Sequence, residues 1–168
     1  MKPPANIPLT LFDAAAGDVE VLGLEAAYVI GPMSVQAEYI DTQVDLTTGA
    51  LGYEWDGFYG QLSYILTGES RSYKWKSGTF DRVKPKSGGI GAVELVLRYE
   101  DVTITDGDEG TAIGSDVDAD RTVLGLNWYV NKVTKFMFNY SSVDLDNEVF
   151  SNSQKDKDSL QIRAQYAF

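Results

Sequence analysis

Apolar side chains recur at every second position through most of this chain, and that period belongs to β-strands whose two faces differ. In "VLGLEAAYVI" (21–30), Leu22, Leu24, Ala26, Tyr28 and Ile30 share one face, while Val21, Gly23, Glu25, Ala27 and Val29 lie on the other. The same pattern returns in "MSVQAEYIDTQV" (33–44), "YEWDGFYGQLSYIL" (53–66), "AVELVLRYEDVTI" (92–104), "RTVLGLNWYV" (121–130), "VTKFMFNYSSVDL" (133–145) and "SLQIRAQYAF" (159–168). Seven strands follow from these runs, and "IPLTLF" (7–12) reads as a short eighth. No segment carries a helical stripe of useful length, so the fold class is all-β and antiparallel. Gly31-Pro32 and Asn131-Lys132 mark tight connections. The polar or acidic stretches 45–52, 105–120 and 146–158 are longer loops, and 67–91 is a long irregular segment rich in Gly, Ser and Lys.

Composition removes several kinds of function. The chain has 168 residues, enough for one domain, with 25 acidic against 14 basic side chains and a net charge of −11. A nucleic-acid partner would need a basic face to displace counterions, so none is expected. There is no Cys and no His. Thiol catalysis, histidine triads, zinc sites of the thiolate or imidazole kind and disulfides are therefore absent. No P-loop or nucleophile elbow is present, and the reading is of a protein that is not an enzyme and carries no cofactor. No run approaches the roughly 20 apolar residues of a membrane-spanning helix. The opening "MKPPANIPLT" lacks the apolar centre of a signal peptide.

Alternation alone leaves open which way the apolar face points. A soluble barrel hides it, whereas a membrane barrel turns it to lipid and encloses the polar face. Three features favour lipid. Several runs reach the roughly 9–11 tilted residues that cross a bilayer. Tyr28, Tyr39, Tyr64, Tyr99, Trp128, Tyr140 and Phe168 stand near the ends of the apolar faces, where interfacial girdles form. The connections are also unequal, with tight turns at one end and longer loops at the other. With the tight turns on the periplasmic side, strand parity places 67–91 there too, which is long for a periplasmic connection.

The final strand and five further stretches carry a family resemblance. A terminal Phe168 behind alternating apolar positions and Tyr166 resembles the assembly signal that closes bacterial outer-membrane barrels. "LGLEAAYVIGPMSVQAEY" (22–39), "GFYGQLSYILTGESRSYKWKSGTF" (57–80), "GAVELVLRYEDV" (91–102), "LGLNWYVNKVTKFMFNY" (124–140) and "LQIRAQYAF" (160–168) together resemble the C-terminal half of the phosphate-selective porin O/P family. The resemblance implies a bacterial outer-membrane location and trimeric, water-filled barrels of about sixteen strands. It further implies contact with lipid, lipopolysaccharide and the barrel-assembly machinery, and it places 67–91 on the periplasmic side. Residues 1–168 then form a single barrel domain or the C-terminal portion of a larger porin barrel.

On the polar faces, Glu25, Glu38, Glu94, Arg98, Glu100, Arg121, Lys135 and Arg163 are the candidates for pore lining. Arg98, Arg121, Lys135 and Arg163 are suited to anion contact through charge-assisted hydrogen bonds. In a narrow closed barrel the same groups would instead pair with one another and fill the lumen. Four acids stand against four bases, so phosphate selectivity does not transfer from the family name. Asp116, Asp118 and Asp120 are spaced as a calcium loop might be, but Arg121 and Asn127 fall where that motif needs Gly and Glu, so the segment reads as a solvated acidic loop. Arg71, Tyr73, Lys74, Trp75 and Lys76 form a short basic and aromatic patch.

The expected function is passive diffusion of small hydrophilic solutes, anions such as phosphate among them, through an outer-membrane barrel. Two rivals remain: a small closed outer-membrane barrel serving as anchor or surface-interaction protein, and a soluble β-barrel with an apolar ligand inside.

Overall fold

The computed structural model describes residues 16–46, 52–74, 76–86, 89–106, 117–147 and 156–167. Seven long strands make one sheet: β1 (Ala16–Ile30), β2 (Met33–Leu46), β3 (Tyr53–Ile65), β6 (Ala92–Asp106), β7 (Val117–Tyr129), β8 (Thr134–Asn147) and β9 (Asp156–Tyr166). Between β3 and β6 lies a small hairpin of β4 (Tyr73–Lys74) and β5 (Thr79–Phe80). The large sheet follows chain order, β1-β2-β3-β6-β7-β8-β9, and every neighbouring pair is antiparallel. The run 7–12 lies outside the described residues.

The strands are 11 to 15 residues long, beyond the usual globular mode of about five or six. Most exceed what periodicity alone marks, because polar residues extend them beyond the apolar band. β7 begins at Val117, so Asp118 and Asp120 belong to a strand and not to the loop expected over 105–120. The two tight turns are built differently. Gly31, at φ 55°, supplies the left-handed residue that a two-residue hairpin needs. At the other turn the Asn131 side chain accepts from the backbone N–H groups of Val133 (2.9 Å) and Thr134 (2.8 Å).

Burial separates this sheet from a soluble one. Among the described residues only Val44, Ile65, Val83, Ala92, Val123 and Tyr129 form a buried apolar set. Leu22, Leu24, Leu62, Leu97, Leu124, Leu160 and Ile162 are all exposed, Leu124 at 55% and Ile162 at 65%. A soluble sandwich would turn these side chains into its centre. The expectation of a soluble barrel with an apolar interior is overturned here, since the apolar face looks outward along the whole sheet.

Among the described residues the sheet is open, and β1 and β9 are its two edges, each paired on one side. Seven antiparallel strands leave those edges running in the same direction, so antiparallel closure requires an odd number of additional strands.

Candidate functional site

The outward face can be followed strand by strand through the register. Tyr28, Val35, Leu62, Leu97, Leu124, Tyr140 and Leu160 are successive cross-strand partners, an unbroken apolar row over all seven strands. A parallel row nearer the long loops starts with Leu24, Tyr39 and Phe58 and continues as Asp101, Asp120 and Asp144. One row therefore passes from hydrocarbon-like to carboxylate side chains midway across the sheet.

The boundary between the two is oblique. Outward apolar residues reach Leu22 on β1 but stop at Leu160 on β9, which lies in the row of Tyr28. That is a drop of about six residues over six strand steps; at ~3.3 Å per residue and ~4.8 Å per step it corresponds to a tilt of about 35°. Strands of outer-membrane barrels lean by about 35–45°. A level slab of hydrocarbon crossing tilted strands leaves this oblique edge. At the tight-turn end Tyr28, Tyr64, Trp128 and Tyr166 are exposed on the same face. The Trp128 indole N–H donates to the Ile90 carbonyl at 2.7 Å, a polar tip on an apolar ring as an interfacial girdle uses. Phe168 lies outside the described residues.

The inward face is polar and partly paired. Gln36 donates to the Tyr59 hydroxyl at 2.7 Å, and the Ser141 and Ser159 hydroxyls lie 2.8 Å apart. The eight candidates all occupy positions on this face by register, but they separate into groups. Glu25 and Glu38 are cross-strand partners on β1 and β2. Arg98 lies over the Tyr59 ring, 3.6 Å from its centroid, and donates to Glu100. Arg121 reaches the other Glu100 oxygen at 3.5 Å. Lys135 lies 4.8 Å from the Tyr129 ring centroid, and Arg163 is the register partner of Met137 nearby. Lys157, opposite Val143, joins Arg121 in the same inward row; the alternation of β9 marks it, although sequence reasoning passed over it.

Glu94 stands apart from the other candidates. It is fully buried, and its charged partner, Arg71, comes from the irregular segment, not from a strand. The described residues of the 66–91 segment (66–74, 76–86 and 89–91) fold back over the polar face of the sheet. Arg71 donates to Glu94 at 2.5 Å and to the Tyr129 hydroxyl at 3.0 Å. Asn127 and Tyr129 each donate to the other Glu94 oxygen at 2.8 Å. Val83, 2% exposed, packs with Ile65, Ala92 and Tyr129. Glu69 is also buried; it accepts from the Thr67 hydroxyl and from the Lys86 backbone N–H (3.2 Å), joining the two limbs of the segment. Burial by itself raises the Glu69 pKa, but these hydrogen bonds outweigh it and hold the carboxyl below its ordinary value. Asp81 is lowered by its bond from Lys74, helped by the Arg82 backbone N–H.

The hairpin of β4 and β5 then stands over β1–β3. Tyr73, Thr79 and Phe80 face Glu25, Gln36, Glu38 and Tyr59 across a cleft of about 360 Å³. At the other end of the segment, Phe80–Val83 face Lys132, Lys135 and Gln165 across a cleft of about 200 Å³. The segment thus overlies the lumen face from β1 to β9. Sequence reasoning placed Arg71 in a short basic and aromatic patch of a periplasmic connection and did not single out Asn127, Tyr129, Glu69 or Val83. Tyr129 and Asn127 were visible only as alternating positions of β7. Nothing local distinguishes Arg71 from the lysines around it.

Asp118 accepts from Thr103 at 2.8 Å, and Asp120 from Tyr99 at 3.1 Å, both between strands on the outward face. Asp116 lies outside the described residues. Among the described residues no cluster of acids is arranged to hold a metal ion.

Seven tilted strands with lipid-compatible rows outside, and charged, hydrogen-bonded rows inside, are part of the wall of an outer-membrane β-barrel of the porin class. Comparison with known proteins gives the family. The model of phosphate-selective porin O and P matches residues 9–168, and the chain belongs to that family of Gram-negative outer-membrane proteins. It is 38% identical over 156 residues to Porin O of Pseudomonas aeruginosa, covering 90% of this chain and 36% of that protein. It is 34% identical over 126 residues to an uncharacterized protein of Caulobacter vibrioides, covering 73% of this chain and 24% of that protein. The chain spans about a third or less of the length of these curated relatives.

Proposed function

We propose that this chain is the C-terminal portion of a single wide barrel domain whose lumen passes small hydrophilic solutes by diffusion, inorganic phosphate and similar anions among them, without catalysis. The observation that carries the reading is the 66–91 segment on the lumen side. An eight-stranded barrel is filled by its own wall side chains, whereas barrels of about sixteen strands keep an aqueous interior. A segment that seats Arg71, Val83 and Phe80 against the inner wall needs the wider interior.

The pore-lining set is Glu25, Glu38, Arg98, Glu100, Arg121, Lys135 and Arg163, joined by Lys157, while Glu94 is buried beneath the 66–91 segment and does not line the path. Glu94 and Glu100 are neutralised by Arg71, Arg98 and Arg121. Lys135 and Arg163 form no ion pair among the described residues, so the β8–β9 wall keeps positive charge while Glu25 and Glu38 hold negative charge on β1–β2. Anions would follow the β8–β9 side. The outward rows meet lipid and, at the acidic edge, the lipopolysaccharide headgroups. The chain end at Tyr166 and Phe168 serves the assembly machinery, and the family resemblance supports a homotrimer.

The test is conduction by the purified protein in planar bilayers. Stepwise ohmic currents are expected, with a zero-current potential on the anion-selective side in a salt gradient and block of chloride current by added phosphate. A heat-modifiable, inserted protein that passes no current would remove the pore reading and leave the anchor.

A further inference from the structure

Glu94 is a charged side chain with no exposure to solvent, sited on a wall whose other charges are half-buried or exposed. A buried carboxylate is costly unless it is paired and fully hydrogen-bonded. Three donors meet it: Arg71, Asn127 and Tyr129. Two of these belong to the wall itself and are in place whatever the segment does. The third, Arg71, arrives from 66–91 and brings the compensating charge. The Arg71 guanidinium also lies 5.7 Å from the centroid of the Phe80 ring, so the same group touches both the wall and the hairpin. Its Nε–H is buried without an acceptor, so the guanidinium holds to the wall through its bonds to Glu94 and to the Tyr129 hydroxyl.

We propose that Glu94 is the positioning residue that tethers 66–91 across the lumen and thereby sets the width of the conducting path. This rests on the porin reading above and adds to it a named device. The second limb is held by Val83 against Ile65 and Tyr129 and is joined to the first through Glu69–Lys86 and Lys74–Asp81, so losing the Arg71 tether loosens the first limb and hairpin from the wall while they stay linked to a docked second limb. Two clefts then merge, because Tyr73 and Phe80 no longer divide the space over β1–β3 from that over β8–β9.

The experiment compares Glu94→Gln and Arg71→Gln with the parent in the full chain, folded into detergent and into planar bilayers. Both variants should keep the heat-modifiable mobility of a folded barrel. Trypsin should cleave within Arg71–Lys86 of Glu94→Gln at least about tenfold faster, the change in open population that ~1.4 kcal/mol of lost docking produces. Single-channel conductance should rise in both variants. Arg71 lies outside the strands, so Arg71→Gln tests the tether even where Glu94→Gln fails to fold. A folded Arg71→Gln with parental cleavage and parental conductance overturns the tether. Faster cleavage at unchanged conductance overturns its role in setting width. A parent that passes no current defeats the porin reading, and in that case the cleavage rates still decide whether Glu94 tethers the segment.

Discussion

The outward rows of β6–β8 and the inward segment 66–91 are stabilised by opposite rules. On the outward rows Leu95, Leu97, Leu124, Leu126, Phe138 and Tyr140 are exposed and have hydrocarbon for a partner. Any apolar side chain of reasonable size satisfies such a site, and the constraint is a period and a band height. In the segment, single groups matter: Arg71 for Glu94, Val83 for one small apolar pocket, Glu69 for a hydroxyl and an N–H. The lesson is that a barrel wall is held by a repeated, forgiving pattern, and a lumen element by a few unrepeated contacts.

The sharpest way to break that contrast is a charge on the forgiving side. Leu124→Arg should destabilise the membrane-folded protein by about 2–4 kcal/mol, the cost of a cation near the bilayer midplane. The inward substitution Gln61→Glu, opposite Arg98, should fall well below that in the same denaturant titration from liposomes. Equal effects would mean that the two faces do not meet different solvents.

The next effect probes the point where wall and segment join. Gly91 sits at φ 91°, and a Cβ there would lie 2.1 Å from the Tyr129 carbonyl oxygen. Gly91→Ala must shift backbone beside Ala92 and Tyr129, at a cost of about 1–3 kcal/mol. Trypsin sensitivity of 66–91 should rise with it, while the outward rows keep their membrane insertion.

Acidification separates the regions without mutation. The Glu69 carboxyl is held below its ordinary value of 4.5, so its contribution is complete above that value and is lost as pH falls through the lowered one. Asp81 acts in the same direction. Amide exchange in 66–91 should therefore increase at pH values below the usual carboxylate range, with the amides of β7 and β8 unchanged. Loss of β7 protection at the same pH would show the segment and wall to be one cooperative unit. The smallest effect is expected at Arg98→Lys, which loses the guanidinium stack on Tyr59 and costs about 0.5–1 kcal/mol; it is measurable as a small loss of unfolding free energy in the same denaturant titration.

Much of the architecture was readable from residue order. Seven runs of alternation became seven long strands in one antiparallel sheet, and their order in the sheet is their order in the chain, because short connections favour neighbouring antiparallel pairs. Strand ends were less legible. Asp118 and Asp120 look like loop residues, yet they continue β7, since a strand that rises above the hydrocarbon band turns polar on its outward face. The placement of Lys135 and Arg163 on the polar face follows from period two alone. The partner of Glu94 does not.

The sequence by itself determined the faces: a two-residue period assigns each side chain to lipid or lumen once the backbone is extended, and no long-range contact is needed for that. Only the tertiary structure decided that 66–91 turns inward and that Arg71, 23 residues from Glu94, completes its site. Such a contact depends on distance in space between an irregular segment and a strand, and neither carries a period from which that distance can be read.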